Sequence, residues 1–147
     1  MAIITFSNST PLTVATPADP TGTTNTTGVM MGLGVLITPA FSGRIKMTVT
    51  GNLTNSTGTA GNGAKTQLRY GTGTAPANAA ALTGTAVGSV LTSVLERATA
   101  NDLQPFSAVY VVTGQALGAA CWVDISLAAV VAGTALVKNL TVVLEEI

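Results

Sequence analysis

The stretch Gly43–Leu53, GRIKMTVTGNL, is the most regular part of the 147-residue chain. Its apolar residues Ile45, Met47 and Val49 alternate with polar and basic residues. Successive side chains of a β-strand point to opposite faces, so this alternation predicts a strand with one buried face and one solvated face. Lys65–Tyr70 shows the same pattern and predicts a second strand of this kind.

Working outward from Gly43–Leu53, short apolar runs bounded by turn-forming residues predict further strands. These runs are Ala2–Phe6, Leu12–Thr16, Gly28–Ile37, Phe106–Thr113, Ala119–Val131 and Ala135–Glu146. The tally is about eight short strands and no dependable helix. This pattern predicts an all-β fold, an antiparallel β-sandwich that is jelly-roll-like. We expect residues 28–147 to form the sandwich, and residues 1–27 to form an extended N-terminal arm with short strands.

The segment Val87–Arg97 is open to two interpretations. Its apolar residues include Val87, Val90, Leu91 and Val94, which follow the three-to-four spacing of a helix. The segments on either side are strand-like, which favours a strand instead. The pattern alone indicates a helix, and the context leaves both alternatives open.

The composition indicates a protein that is covered by other subunits. Thr, Ala and Gly contribute 25, 22 and 16 residues, whereas only 8% of the chain is charged, six residues of each sign. A soluble domain usually carries about 25% charged residues. We therefore expect an oligomer, or a protein bound to a lattice, rather than a free monomer.

Several classes of function are disfavoured by what the sequence lacks. It contains no histidine and one cysteine, so it can build neither a histidine metal site nor a histidine-dependent catalytic triad. The zero net charge weighs against nucleic acid as a partner. The apolar window Ala116–Val137 is long enough to span a membrane, but Asp124, Gly118 and Gly133 interrupt it. We expect two core strands there, and no membrane partner.

No motif predicts catalysis or a bound cofactor. Gly58–Thr66, GTAGNGAKT, resembles a phosphate-binding loop, but Ala64 separates the glycine from the lysine that must follow it directly. Asp124 shares a face with Trp122 on a predicted strand, where we expect a structural hydrogen bond or ion pair rather than a general base. Cys121 is expected in the core. The sequence therefore predicts a non-enzymatic protein with no catalytic, cofactor or metal site.

Four segments carry a resemblance to a known class of protein. They are YGTGTAPANAAALTGTAVG at 70–88, PFS at 105–107 with VVTG at 111–114, CWVDISL at 121–127 and NLTVVLEEI at 139–147. Together they resemble small β-domains among the virion structural proteins of tailed bacteriophages. The resemblance covers about residues 28–147 and implies a jelly roll that trimerises. Such domains occur as capsid decoration (cement) proteins or as the tips of head and tail fibres.

The resemblance and the low charge together lead to a functional expectation. We expect a homotrimer that binds the major capsid protein on the outer surface of the virion and stabilises the shell. The alternative is a fibre-tip module that recognises a host surface glycan through Tyr70, Tyr110 and Trp122, although these three are expected in the core. The segment Ala2–Thr27 is our candidate for a clamp on the capsid or on a neighbouring copy, because extended backbone can add to another sheet edge.

Two sets of residues are expected to make these contacts. Apolar residues on strands that are covered on the other face are predicted at the trimer interface: Met30, Leu33, Val35, Ile37, Val142 and Leu144. Residues of the N-terminal arm and of the solvated strand face are predicted to contact the capsid: Pro17, Asp19, Pro20, Arg44 and Lys46.

Overall fold

A computed structural model of the chain describes residues 10–94 and 99–147, and the regular structure within these ranges is all β. The strands are β1 (Leu12–Ala15), β2 (Val29–Met30), β3 (Val35–Ile37), β4 (Ile45–Asn55), β5 (Gly63–Thr72), β6 (Thr85–Val94), β7 (Gln104–Val112), β8 (Cys121–Val130) and β9 (Ala135–Glu146).

The strands form two antiparallel sheets that face each other. The first sheet has the order β1-β9-β4-β7, and the second has the order β2-β8-β5-β6, with β3 also paired to β8. The chain moves between the two sheets so that strands distant in sequence become neighbours, which is the double Greek-key order of a jelly roll. The predicted all-β, jelly-roll-like sandwich is therefore confirmed.

Strand β4 lies inside the first sheet and pairs with β7 on one side and with β9 on the other. Ile45, Met47 and Val49 are fully buried and belong to the core between the sheets. Ile125 and Leu127 of β8 belong to the same core. The alternation in the sequence thus identifies the strand and its buried face.

The predicted strand Gly28–Ile37 is divided into two. β2 and β3 both pair with β8, and residues 31–34 separate them. Gly32 and Gly34 in this connection have φ angles of 68° and 62°, which glycine adopts without steric cost and which interrupt a strand. The prediction of one continuous strand is therefore corrected.

The segment Val87–Arg97, for which the sequence left helix and strand open, is a strand up to Val94, where β6 ends. Leu95–Arg97 lie outside the described residues. The helical spacing arises because β6 is apolar on both faces. Val87 and Leu91 are partly buried on the core side, whereas Val90 and Val94 are exposed.

The N-terminal residues that the structure describes belong to the sandwich. β1 pairs with β9, and Thr23 forms an isolated bridge with Ala135. The Asp19 carboxylate accepts a hydrogen bond of 2.8 Å from the Asn139 N–H. Residues 10–27 therefore pack on their own chain, and the boundary expected at residue 27 does not separate them from the sandwich. The strand predicted at Ala2–Phe6 lies outside the described residues.

Candidate interaction surface

The residues predicted at the trimer interface lie inside the single chain. Leu33 is partly buried against the core, and the other five are buried: Met30, Val35, Ile37, Val142 and Leu144. Apolar side chains on a sandwich strand turn first toward the opposite sheet, which removes them from water within one copy. Met30 lies outside that core and is buried where β2 is hydrogen-bonded to residues 79 and 80. A second copy has no access to the buried side chains, so this prediction is corrected.

The predicted capsid contacts lie at the surface, but the structure does not bring all of them together. Asp19, Arg44 and Lys46 are exposed, and the prolines at positions 17 and 20 are partly exposed. Asp19 lies beside Asn139, whereas Lys46 pairs with Glu145, six residues further along β9 and thus about 20 Å away. Their contact with a capsid stays a prediction.

Asp124 is a fully buried acid on the outer face of the second sheet. Its carboxylate accepts hydrogen bonds from the N–H groups of Gly32 at 2.9 Å, Leu33 at 3.2 Å and Ile125 at 2.7 Å. Burial raises the pKa of Asp124, although the backbone donors act in the opposite direction. The side chain is occupied in holding the β2–β3 connection against β8, which is the structural role that the sequence favoured.

Glu146 is a second buried acid, which sequence reasoning passed over as one of two adjacent glutamates. Its carboxylate accepts four backbone hydrogen bonds of 2.6–2.9 Å from the turn at residues 40–43. Burial opposes ionisation, but the four donors outweigh it and lower the pKa of Glu146 to about 2. This carboxylate ties the end of β9 to the turn that precedes β4.

The stability of the fold should therefore depend on pH through Glu146. Its folded-state pKa lies below the ordinary value of 4.5, so its contribution is complete above pH 4.5 and is lost as the pH falls toward 2. We expect Glu146→Gln to lower the urea midpoint at neutral pH, and the difference from wild type to shrink through this window. Asp124 is present in both proteins, so its opposite shift cancels in the comparison.

Glu145→Gln is the matched control. Glu145 lies at the position before Glu146 in the strand and forms an ion pair of 3.8 Å with Lys46, both side chains being nearly half exposed. Exposed pairs of this kind contribute little to stability. A pH-independent difference between Glu146→Gln and wild type would contradict the role given to Glu146.

The remaining groups that the sequence singled out do not assemble into a chemical site. Cys121 is buried, and burial raises the pKa of its thiol despite an opposing backbone hydrogen bond from Gly71. Over residues 10–94 and 99–147, no three His, Cys, Asp or Glu side chains are grouped as metal ligands would be. The same residues contain no helix that is long and apolar enough to cross a membrane.

The three aromatic residues considered for glycan binding do not share a groove. Trp122 is buried and donates a hydrogen bond of 3.2 Å from its Nε1–H to the Thr72 carbonyl. Tyr70 is partly buried and packs against the core, whereas Tyr110 on β7 is 41% exposed. The glycan alternative therefore lacks the shared aromatic surface on which it depends.

The surface that sequence reasoning missed is formed by β6 and β7, the last strands of the two sheets. Each pairs with one strand only among the described residues, so each leaves one backbone edge unpaired. Neither strand contains an Asp, Glu, Lys or Arg residue. We call this side of the sandwich the β6–β7 edge, and its exposed apolar residues are Val90, Val94 and Tyr110.

The two edge strands do not close the sandwich between them. A cavity of about 210 Å³ is lined by residues of both strands, including Val87, Leu91, Ala108 and Tyr110. A wider groove of about 860 Å³ is lined by residues 90–94 and 104–107. Core-facing side chains such as Val87 and Ala108 are in consequence only partly buried. Apolar residues on both sides of β6 were the sequence feature that could have revealed this edge.

A second weakly charged surface is the outer face of the first sheet. Outward-pointing residues of β1, β9, β4 and β7 form it, and we call it the Val–Thr face: Leu12, Val14, Thr48, Thr50, Val109, Val111, Thr141 and Val143. Leu12 and Val14 are each 62% exposed. Lys46 and Glu145, which lie on the same outer face, form an ion pair of 3.8 Å.

No protein-family model matches the chain, and no curated protein is significantly similar to it. Several solved structures show a likeness at low identity. Eiger TNF from S. frugiperda is 10% identical with a TM-score of 0.38, covering 93% of this chain and 85% of that one. The EclA C-terminal domain, described as a sugar-binding protein, is 15% identical with a TM-score of 0.37, covering 95% and 82%. The structure of infectious bursal disease virus, Gt strain, is 15% identical with a TM-score of 0.40, covering 98% and 37%.

These likenesses carry no inference about function, because every TM-score lies below 0.5. The assignment of the fold rests on the strand order of the chain itself, which defines the jelly-roll class.

Proposed function

We propose that the chain is a non-enzymatic structural protein of a bacteriophage virion. Three copies associate and bind the major capsid protein on the outer surface of the shell as a decoration protein. The single observation that carries this proposal is the β6–β7 edge, where two uncharged strands expose apolar side chains and the unpaired N–H and C=O groups of their free edges.

Such an edge is a liability for a free monomer. Exposed edge strands template pairing with other chains, and proteins ordinarily protect them with charged residues, prolines, bulges or a covering element. β7 has Pro105 near its start, and the register of β6 shifts between Thr66 and Leu68 of β5, but neither strand carries a charge. Coverage by another copy removes the apolar side chains from water and explains the low charge of the whole chain.

The trimeric state and the capsid partner are supported by the resemblance of segments 70–88 and 121–127 to phage virion β-domains. A trimer that binds a repeated shell surface makes several contacts at once, so each contact can be weak while the assembly binds tightly. The exposed Asp19, Arg44 and Lys46 remain candidates for the capsid-facing surface.

An enzymatic role has little support in the described residues. The two buried acids, Asp124 and Glu146, are occupied by backbone hydrogen bonds rather than aimed into a cleft. The cavity at the edge strands is lined by aliphatic, serine and tyrosine side chains, which offer no general base of ordinary pKa near neutrality.

The mass of the purified protein in solution is the first test. Sedimentation equilibrium or light scattering is expected to give three times the 14.6 kDa of one chain. A protein that stays monomeric at high concentration would overturn the proposal.

Electron microscopy of the virion separates the two virion roles. Many copies spread over the shell are expected of a decoration protein. A few copies confined to the tail would contradict that role and favour the fibre-tip alternative.

A further inference from the structure

We infer that the copies associate edge to face, so that the β6–β7 edge of one copy packs on the Val–Thr face of the next. This inference rests on the trimer proposed above and names the two surfaces that would form it.

A threefold ring needs two different surfaces on each copy. In a twofold dimer the same patch meets itself, whereas in a ring one patch of each copy meets another patch of its neighbour. The described residues offer two candidates, the β6–β7 edge and the Val–Thr face. They lie on adjoining sides of the sandwich, because β7 is the strand next to β4 at the border of the first sheet.

The chemistry of both surfaces favours a second copy as the occupant. An acidic or basic partner would lose the hydration of its charges against β6 and β7, which carry none to compensate. The Val–Thr face presents Val14, Val143, Thr48 and Val109 in one row across four strands. A surface of this composition can cover Val90, Val94 and Tyr110 without burying an unpaired charge.

The dimensions of the two surfaces also match. The nine residues of β7 span about 30 Å, and an edge of two sheets about 10 Å apart, with side chains on either side, is about 20 Å across. Three to four strands at about 4.8 Å spacing give the Val–Thr face a similar width. Each surface is then about 600 Å², the same order as the roughly 800 Å² that each partner buries in a stable interface.

The test uses one variant of each surface. Val90→Lys alters the edge and Val14→Lys alters the face, at side chains that are 52% and 62% exposed and so are not needed for the core. In a ring every contact contains one edge and one face, so either substitution damages all three contacts. We expect each variant to be monomeric, with a dissociation constant raised at least about tenfold by the buried unpaired charge.

Mixing the two variants gives the decisive result. The intact face of Val90→Lys can bind the intact edge of Val14→Lys, and the complex cannot grow because the remaining surfaces are both damaged. Sedimentation of an equimolar mixture, at the highest concentration at which both stay soluble, is therefore expected to show a heterodimer that neither variant forms alone. Leu117→Asp, in an exposed loop position, is the matched control and should remain trimeric.

Other outcomes overturn the inference, and they differ from failure of the proposed function. If either variant stays trimeric while retaining the circular dichroism spectrum of wild type, the interface lies elsewhere and the trimer stands. If the mixture yields no heterodimer, the two surfaces do not meet. A monomeric wild type would instead remove the proposed trimer itself.

Discussion

Replacing Gly84 by alanine is expected to lower the free energy of unfolding by about 3 kcal/mol. Gly84 has a φ of 67°, which costs other residues about 1–2 kcal/mol. A Cβ at this position would lie 2.3 Å from Cη2 of Trp122 and 2.5 Å from the Tyr70 carbonyl oxygen. Trp122 cannot retreat freely, because Gly71 also lies against its indole ring, at Cζ2, and the Thr72 carbonyl accepts its N–H. Urea unfolding followed by tryptophan fluorescence measures the loss.

Gly73→Ala separates the two causes of this loss. Gly73 lies in the same loop with a φ of 78°, but a Cβ there meets no atom within 4 Å. Only the backbone cost of about 1–2 kcal/mol is expected. Equal losses at Gly73 and Gly84 would show that the contact with Trp122 contributes nothing.

Asn55→Ala is expected to cost about 3 kcal/mol of folding free energy, because it leaves buried backbone groups without partners. The Nδ2 group of this fully buried residue donates to the carbonyls of Gly63 at 2.8 Å and Ala132 at 2.9 Å. Its Oδ1 accepts the Thr57 N–H at 2.9 Å. One side chain thus joins the β4–β5 loop to the β8–β9 turn. Thermal and urea unfolding of the purified variant measure the cost.

Two further variants make this prediction specific. Asn55→Asp places an acceptor against two carbonyl oxygens and is expected to be more destabilising than alanine. Asn52→Ala is the control, because Asn52 is only partly buried and accepts one exposed hydrogen bond from Asn139. A loss at Asn55 no larger than that at Asn52 would contradict the proposed role.

The fold was largely predictable from residue alternation. A strand that is polar on one face, such as Ile45–Asn55, identifies its own buried side. Val87–Val94 left helix and strand open because it is apolar on both faces, a pattern that a helix and an exposed edge strand share. Neighbouring residues alone do not reveal that β6 ends a sheet, since this depends on β5 and β8, which are distant in sequence.

The interaction surface was harder to predict than the fold. The apolar residues of Val35–Ile37 and of β9 were expected at an interface, yet the opposite sheet of the same copy already covers the core-facing ones. The sequence of Gly71–Thr85, which is low in large side chains, indicates only an irregular crossing. The position of this loop depends on hydrogen bonds to other strands, such as those from Arg69 of β5 to the carbonyls of Thr83 and Gly84. Local sequence contains no information about such distant partners.

The place of β9 has a consequence for the order in which the molecule is built. β9 lies between β1 and β4, and its pairing with β1 joins residues more than 120 positions apart. The first sheet therefore lacks its middle until residues 135–146 have left the ribosome. Chains whose contacts are this distant in sequence fold slowly. The nascent chain thus cannot complete the first sheet before β9 has been synthesised. Until then its uncharged strands β6 and β7 remain accessible to chaperones.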